Sequence, residues 1–212
     1  MKVMTGQSLR SFYCWRITMP LEQLSALALF AFVSTFTPGP NNIMLMTSGA
    51  NVGFARTIPH MLGIALGFAA MLLLVGFGLM GVFNAYPVSH QILKYLSLAY
   101  LVYLAIKIAL SGKAKSTKAF KPMTFIAAAS FQWVNPKGWS MALTAISVYS
   151  SGSSWWELAI IASIFTLANL PSVTFWTAAG KQLQHWLTTP VRIKSFNYGM
   201  AGLLLASTIP MI

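Results

Sequence analysis

Two apolar stretches of this chain are broken by proline, one at Thr37, Pro38, Gly39, Pro40, Asn41 and Asn42, the other at Asn135, Pro136 and Lys137. The breaks lie 98 positions apart, counted from Pro38 to Pro136. Proline lacks a backbone donor and clashes with the preceding turn, and inside a bilayer no water satisfies the groups it frees. Such a break persists only where protein or a cavity surrounds it. Matching breaks in two halves of a chain predict a substrate site between two discontinuous helices.

Composition places these stretches in a membrane. Apolar residues make up 57% of the 212, and only 16 residues are charged, 14 basic and 2 acidic. Mean hydropathy is +0.68. That leaves too little polar surface for a soluble globule. The net charge of +12 does not point to nucleic acid, because the basic residues sit in short connections rather than on an aromatic-interleaved surface. Both acidic residues, Glu22 and Glu157, precede apolar runs and are expected at span ends. The single cysteine, Cys14, excludes an internal disulfide and a cysteine metal site.

A span needs about 20 mostly apolar residues. Six stretches qualify: 21–48, 55–82, 89–110, 122–149, 156–180 and 195–212. Their starts repeat with offsets of 101, 101 and 106 (122 − 21, 156 − 55, 195 − 89). The expected fold is an all-α membrane protein of six transmembrane helices, arranged as two inverted three-helix repeats with broken first and fourth helices. An odd number of spans per repeat sets the inversion. Repeat one covers 19–111 and repeat two 121–212, within one transporter domain, 19–212. Residues 1–18 are basic and aperiodic, and are expected to be an extension outside the fold, with the functional protein beginning at Met19.

Positive charge in short loops favours the cytoplasm. Lys113, Lys115, Lys118 and Lys121 follow the third stretch, Lys181, Arg192 and Lys194 follow the fifth, and Arg56 lies on the same side. This predicts both termini in the periplasm, with Lys2, Arg10 and Arg16 of the extension opposing it.

The second half of each broken helix starts with free N–H groups and the positive end of a dipole, suited to a carboxylate. Lys137 lies near mid-membrane by count, where a charge costs at least about 2.5–3.5 kcal/mol on insertion scales. No acidic residue is near it in the sequence. It is expected to meet an anionic ligand; the competing reading is that it caps carbonyls freed by Pro136. Asn41, Asn42, Asn135 and Asn169 form a polar set at similar depth, with Thr37, Ser140 and Thr144 as additions. Their oxygens suit an amino group, unless each asparagine only satisfies backbone freed by a neighbouring proline. Pro171 reads as a packing kink or a hinge in the fifth span.

Gly63 with Gly67, and Gly49 with Gly53, read as close helix-packing faces. His60, His90 and His185 fall at separate span ends or loops and form neither a metal cluster nor a catalytic pair. No catalytic residue, cofactor site or metal site is assigned, and a bilayer-embedded enzyme lacks its nucleophile or base. A passive pore or a non-transporting assembly subunit is the alternative to a transporter.

The break at Thr37 to Asn42, the run Gly53 to Arg56, Gly63 and Gly67, and Asn135, Pro136 and Lys137 together resemble the LysE/RhtB family of amino-acid exporters over about 19–212. The double asparagine and the approach Phe131 to Asn135 are most similar to the branch exporting cysteine and O-acetylserine. The resemblance implies an inner-membrane secondary transporter of the bacterial cell, exporting small amino acids or derivatives such as these or homoserine and threonine. It implies substrate contact at Thr37, Pro38, Gly39, Pro40, Asn41, Asn42, Asn135, Pro136 and Lys137, surrounding lipid, protons as the coupling ion, and a homodimer. Many family members carry an acidic residue where this chain has Asn41, which leaves the proton-carrying group unassigned.

Overall fold

A computed structural model describes residues 19–79, 88–111, 120–150 and 155–206. The expected extension 1–18 with Cys14, the loop lysines Lys113, Lys115 and Lys118, and the His90 side chain lie outside the described residues. All regular structure among the described residues is helical, in eight α-helices.

Helix α1 (Leu21–Phe36) carries Glu22 in its first turn, where a carboxylate complements the helix dipole. It stops because Pro38 forces Thr37 into an extended conformation, φ −58° and ψ 140°. Helix α2 (Pro40–Val52) opens with proline in its first position, where no donor is missed. The two meet at a bend of 52°. A single residue, Gly53, then turns the chain into α3 (Phe54–Leu74), and its φ of +84° favours glycine. Ser48 and Thr57 bridge that turn at 2.9 Å. Gly53 is thus a turn residue rather than half of a packing pair with Gly49.

Helix α3 runs into a π-helical turn, Val75–Leu79. Helix α4 spans Val88–Ala109. The second break follows α5 (Phe125–Phe131), which Thr124 caps by accepting from the Ala127 N–H at 3.2 Å. A 3₁₀ turn, Gln132–Val134, and extended Asn135 lead into α6 (Pro136–Tyr149). Helix α7 (Trp155–Leu183) continues through Pro171, with Glu157 in its first turn. Helix α8 (Pro190–Ala206) starts five residues before the expected 195 (195 − 190).

Helix α3 with its π-helical turn, and α7, are long and apolar enough to cross a membrane, and the bent pair α1 and α2 makes a third such element. That is three crossings by length and composition among the described residues, where the sequence predicts six. The fourth stretch is divided between the short α5 and α6, and α8 has 17 described residues including Arg192, Lys194 and Asn197.

The surface and interior invert the soluble pattern. Ile58, Leu62 and Leu66 form an exposed stripe on α3, and Val102, Ile106 and Leu110 one along α4. Thr35, Asn42, Gln132, Asn135, Asn169 and Ser172 are buried. Glycines bring the helices close. A Cβ at Gly63 or Gly67 would run into α5 at Phe125 and Ala129, and one at Gly49 or Gly180 into the facing backbone of α7 or α2. Each long helix therefore lies against a piece of a broken one.

Candidate functional site

Where α1 stops, its last carbonyls lose their helical donors, since Pro38 and Pro40 have none to give. Side chains replace them one by one. The Thr37 hydroxyl donates back to the Ser34 carbonyl (2.9 Å). The Thr35 carbonyl accepts from Asn42 Nδ2 (2.7 Å) and from the Ser172 hydroxyl of α7 (2.8 Å). Trp176 Nε1 donates to the Phe36 carbonyl (3.2 Å). The Thr37 carbonyl takes Asn42 Nδ2 (2.9 Å) and Lys137 Nζ (2.6 Å), and Lys137 also donates to the Thr37 hydroxyl (2.8 Å).

Lys137 therefore caps a carbonyl, but one freed in the first break rather than by Pro136. Its stem passes over Gly39, where an added Cβ would lie 2.8 Å from the Lys137 Cδ. A side chain at position 39 would displace the Lys137 stem that links the two breaks. A second link joins them: Asn41 and Gln132 exchange hydrogen bonds through both amides, Nδ2 to Oε1 at 2.8 Å and Nε2 to Oδ1 at 3.2 Å. Gln132 is held in turn by the Ala128 carbonyl (2.9 Å).

The second break is less complete. Trp139 donates through its backbone to the Asn135 carbonyl (3.1 Å) and through Nε1 to the Trp133 carbonyl (2.9 Å). Asn135 does not cap α6 with its side chain, and its Oδ1 is buried without a hydrogen-bond partner. A buried acceptor left unpaired costs about 1–3 kcal/mol, so it invites a donor.

Between the breaks lies a small cleft, partly open to the exterior. Ser34, Thr35, Gly39, Asn41, Asn42, Gln132, Asn135, Lys137, Gly138 and Asn169 supply its polar wall, and Ile64, Phe68 and Met141 its apolar wall. Neither α2 nor α6 has a side-chain cap at its start, and residues at both starts, Asn41 and Asn42 on α2 and Lys137 and Gly138 on α6, line the same space. The cleft thus offers donors with positive dipole ends, a lysine, and an orphan acceptor. That combination matches an ion carrying both a carboxylate and an ammonium group.

Of the residues singled out in the sequence, Gly39, Asn41, Asn42, Asn135, Lys137 and Asn169 line the cleft. Thr37, Pro38, Pro40 and Pro136 do not; they shape the breaks, and Thr37 reaches the site only through Lys137. Ser140 and Thr144 are exposed and do not join the polar set. The sequence reading missed Gln132, whose signal was an amide four residues before a proline inside an apolar run. It also placed His60 at a span end, whereas His60 is buried inside α3 with both ring nitrogens unpartnered.

A family model described as LysE type translocator matches residues 32–208. Proteins named cysteine/O-acetylserine efflux protein from Escherichia coli strain K12, from Escherichia coli O1:K1 and from Shigella flexneri serotype 5b are each 30% identical over 167 residues. The match covers 76% of this chain and 84% of each relative. No solved structure matches the chain.

Proposed function

The chain belongs to the LysE family of translocators, and from that premise we propose that it exports a small zwitterionic amino acid, such as cysteine or O-acetylserine, across the bacterial inner membrane as a secondary transporter. The observation that carries this is the cleft between the two breaks, lined by residues of both helix starts, by Lys137 and by Asn135, whose side-chain oxygen has no partner. The substrate carboxylate is received by the N–H groups at the starts of α2 and α6 and by the remaining Lys137 proton. Its ammonium group donates to Asn135 Oδ1. Ile64, Phe68 and Met141 take the short side chain.

Depth supports the reading. Asn41 and Ile64 lie 12 and 11 residues from the Gly53 turn (53 − 41, 64 − 53). At 1.5 Å per residue this is about 17 Å, near the middle of a hydrocarbon core of about 30 Å. The domain is 19–212, with six spans in two inverted repeats. The exchange of partners supports that arrangement: α3 packs on α5 of the second broken helix, α7 on α2 of the first, and α4 on α8.

Two experiments test this. Proteoliposomes loaded with unlabelled O-acetylserine should accumulate labelled O-acetylserine against its gradient. Equilibration without accumulation means a pore, and no flux means a subunit without transport of its own. For topology, a cysteine at Ser116 in a Cys14→Ser background should be labelled only after permeabilisation. Labelling in intact cells reverses the orientation.

A further inference from the structure

A second cavity lies one helical turn from the first, between α2, α3, α4 and the segment 120–124. It is partly open to the exterior and is lined by Met44, His60, Leu104, Lys107, Phe120 and Lys121, among others. Met44 follows Asn41 by three positions on α2, and His60 precedes Ile64 by four on α3. The two cavities are therefore stacked about 5–6 Å apart along the same helix pair, with the second nearer the Gly53 turn.

Its lining joins a buried imidazole to two exposed lysines. His60 is 1% exposed, and neither Nδ1 nor Nε2 has a partner. Lys107 and Lys121 line the same space, and the Lys107 Nζ lies 5.9 Å from the Tyr103 ring centroid. The chain has only two acidic residues, Glu22 and Glu157, and they sit in the first turns of α1 and α7, away from this cavity. Among the described residues, no carboxylate lines this cavity.

We propose that the His60 cavity is a second binding station, which takes the carboxylate of an amino acid on the loop side of the path before it reaches the cleft between the breaks. This rests on the export reading. Lys107 and Lys121 attract the carboxylate, the His60 ring donates one hydrogen bond to it, and Met44 with Leu104 receives the side chain. An anionic lipid headgroup shares the chemistry of the carboxylate, and the test separates the two.

The full chain, with its histidine rings labelled with ¹⁵N, is placed in nanodiscs of zwitterionic phosphatidylcholine and titrated with O-acetylserine. The His60→Leu variant identifies the His60 signals; it should fold, because it removes only unpartnered polar atoms. Titration should shift those signals in the parental protein and equally in Lys137→Met, whose other cleft is disabled. No shift overturns the proposal. A shift with anionic phosphatidylglycerol and none with O-acetylserine also overturns it, by making the cavity a lipid site. In counterflow, Lys107→Gln with Lys121→Gln should raise the half-saturating concentration about ten-fold at unchanged maximal rate. An unchanged half-saturating concentration speaks against the station. If the parental protein shows no counterflow at all, the export reading falls by itself and the ring titration still decides the site.

Discussion

At the first break each carbonyl from Ser34 to Thr37 receives a side-chain donor, whereas at the second break the buried side-chain oxygen of Asn135, Oδ1, receives none. Both breaks have the same cause, a proline in an apolar helix, yet one is closed by the protein and the other is left open. Closing the first break draws on α7 through Ser172 and Trp176, and on the second break itself through Lys137. A closed break fixes geometry and an open one keeps an acceptor for a ligand. In the proposed function the first break is the frame and the second the reader of the substrate.

The variant that should disturb this contrast most is Lys137→Met, since Lys137 serves both sides. It removes the charged donor from the Thr37 carbonyl and from the cleft together. Charge-assisted hydrogen bonds contribute about 1.5–3 kcal/mol, so export should fall by at least about ten-fold with the protein still in the membrane. Lys137→Arg should also be impaired. The stem runs tight over Gly39, and a planar fork does not fit where a compact ammonium does. Export at the parental rate in well-expressed Lys137→Met would remove Lys137 from the mechanism.

Next in size are opposite outcomes for two asparagines. Asn42→Leu keeps volume but deletes two hydrogen bonds in the frame, to Thr35 and Thr37. It should lower stability in detergent by about 1–3 kcal/mol, read as a drop in melting temperature. Asn135→Ala deletes an oxygen that has no partner, so its melting temperature should hold while O-acetylserine binding weakens by roughly three- to ten-fold. If Asn135→Ala melts like Asn42→Leu and binds normally, the two breaks do not differ in role.

The breaks were legible in the sequence because proline acts locally: Pro38, Pro40 and Pro136 stop helices wherever they fall. Gly63 and Gly67 were legible for a similar reason, as small residues spaced on one helix face. What the sequence hid depends on pairing between distant segments. Lys137 reads as a residue of the second break, and its partner 100 positions away in the first cannot be seen from spacing. Gln132 reads as one polar residue in an apolar run until Asn41 is beside it. His60 lies seven residues after Gly53 (60 − 53), near the start of the second apolar stretch, and its burial depends on the neighbours that the one-residue turn brings against α3. Gly49 and Gly53 share a spacing but not a task, because only backbone dihedrals separate a turn glycine from a packing one.

The smallest expected effect tests whether frame and reader are coupled at all. Asn41 and Gln132 hold each other through two hydrogen bonds across the breaks, and Gln132 keeps a further bond to Ala128. If this pair transmits position from one break to the other, Asn41→Ala and Gln132→Ala should not add. Each single change leaves the partner amide without its bonds across the breaks, so the second change costs less than the first. A double-mutant cycle on O-acetylserine affinity should give a coupling of about 0.5–1.5 kcal/mol. Additivity within about 0.3 kcal/mol would mean that the pair only fills space, and that Lys137 alone joins the two breaks.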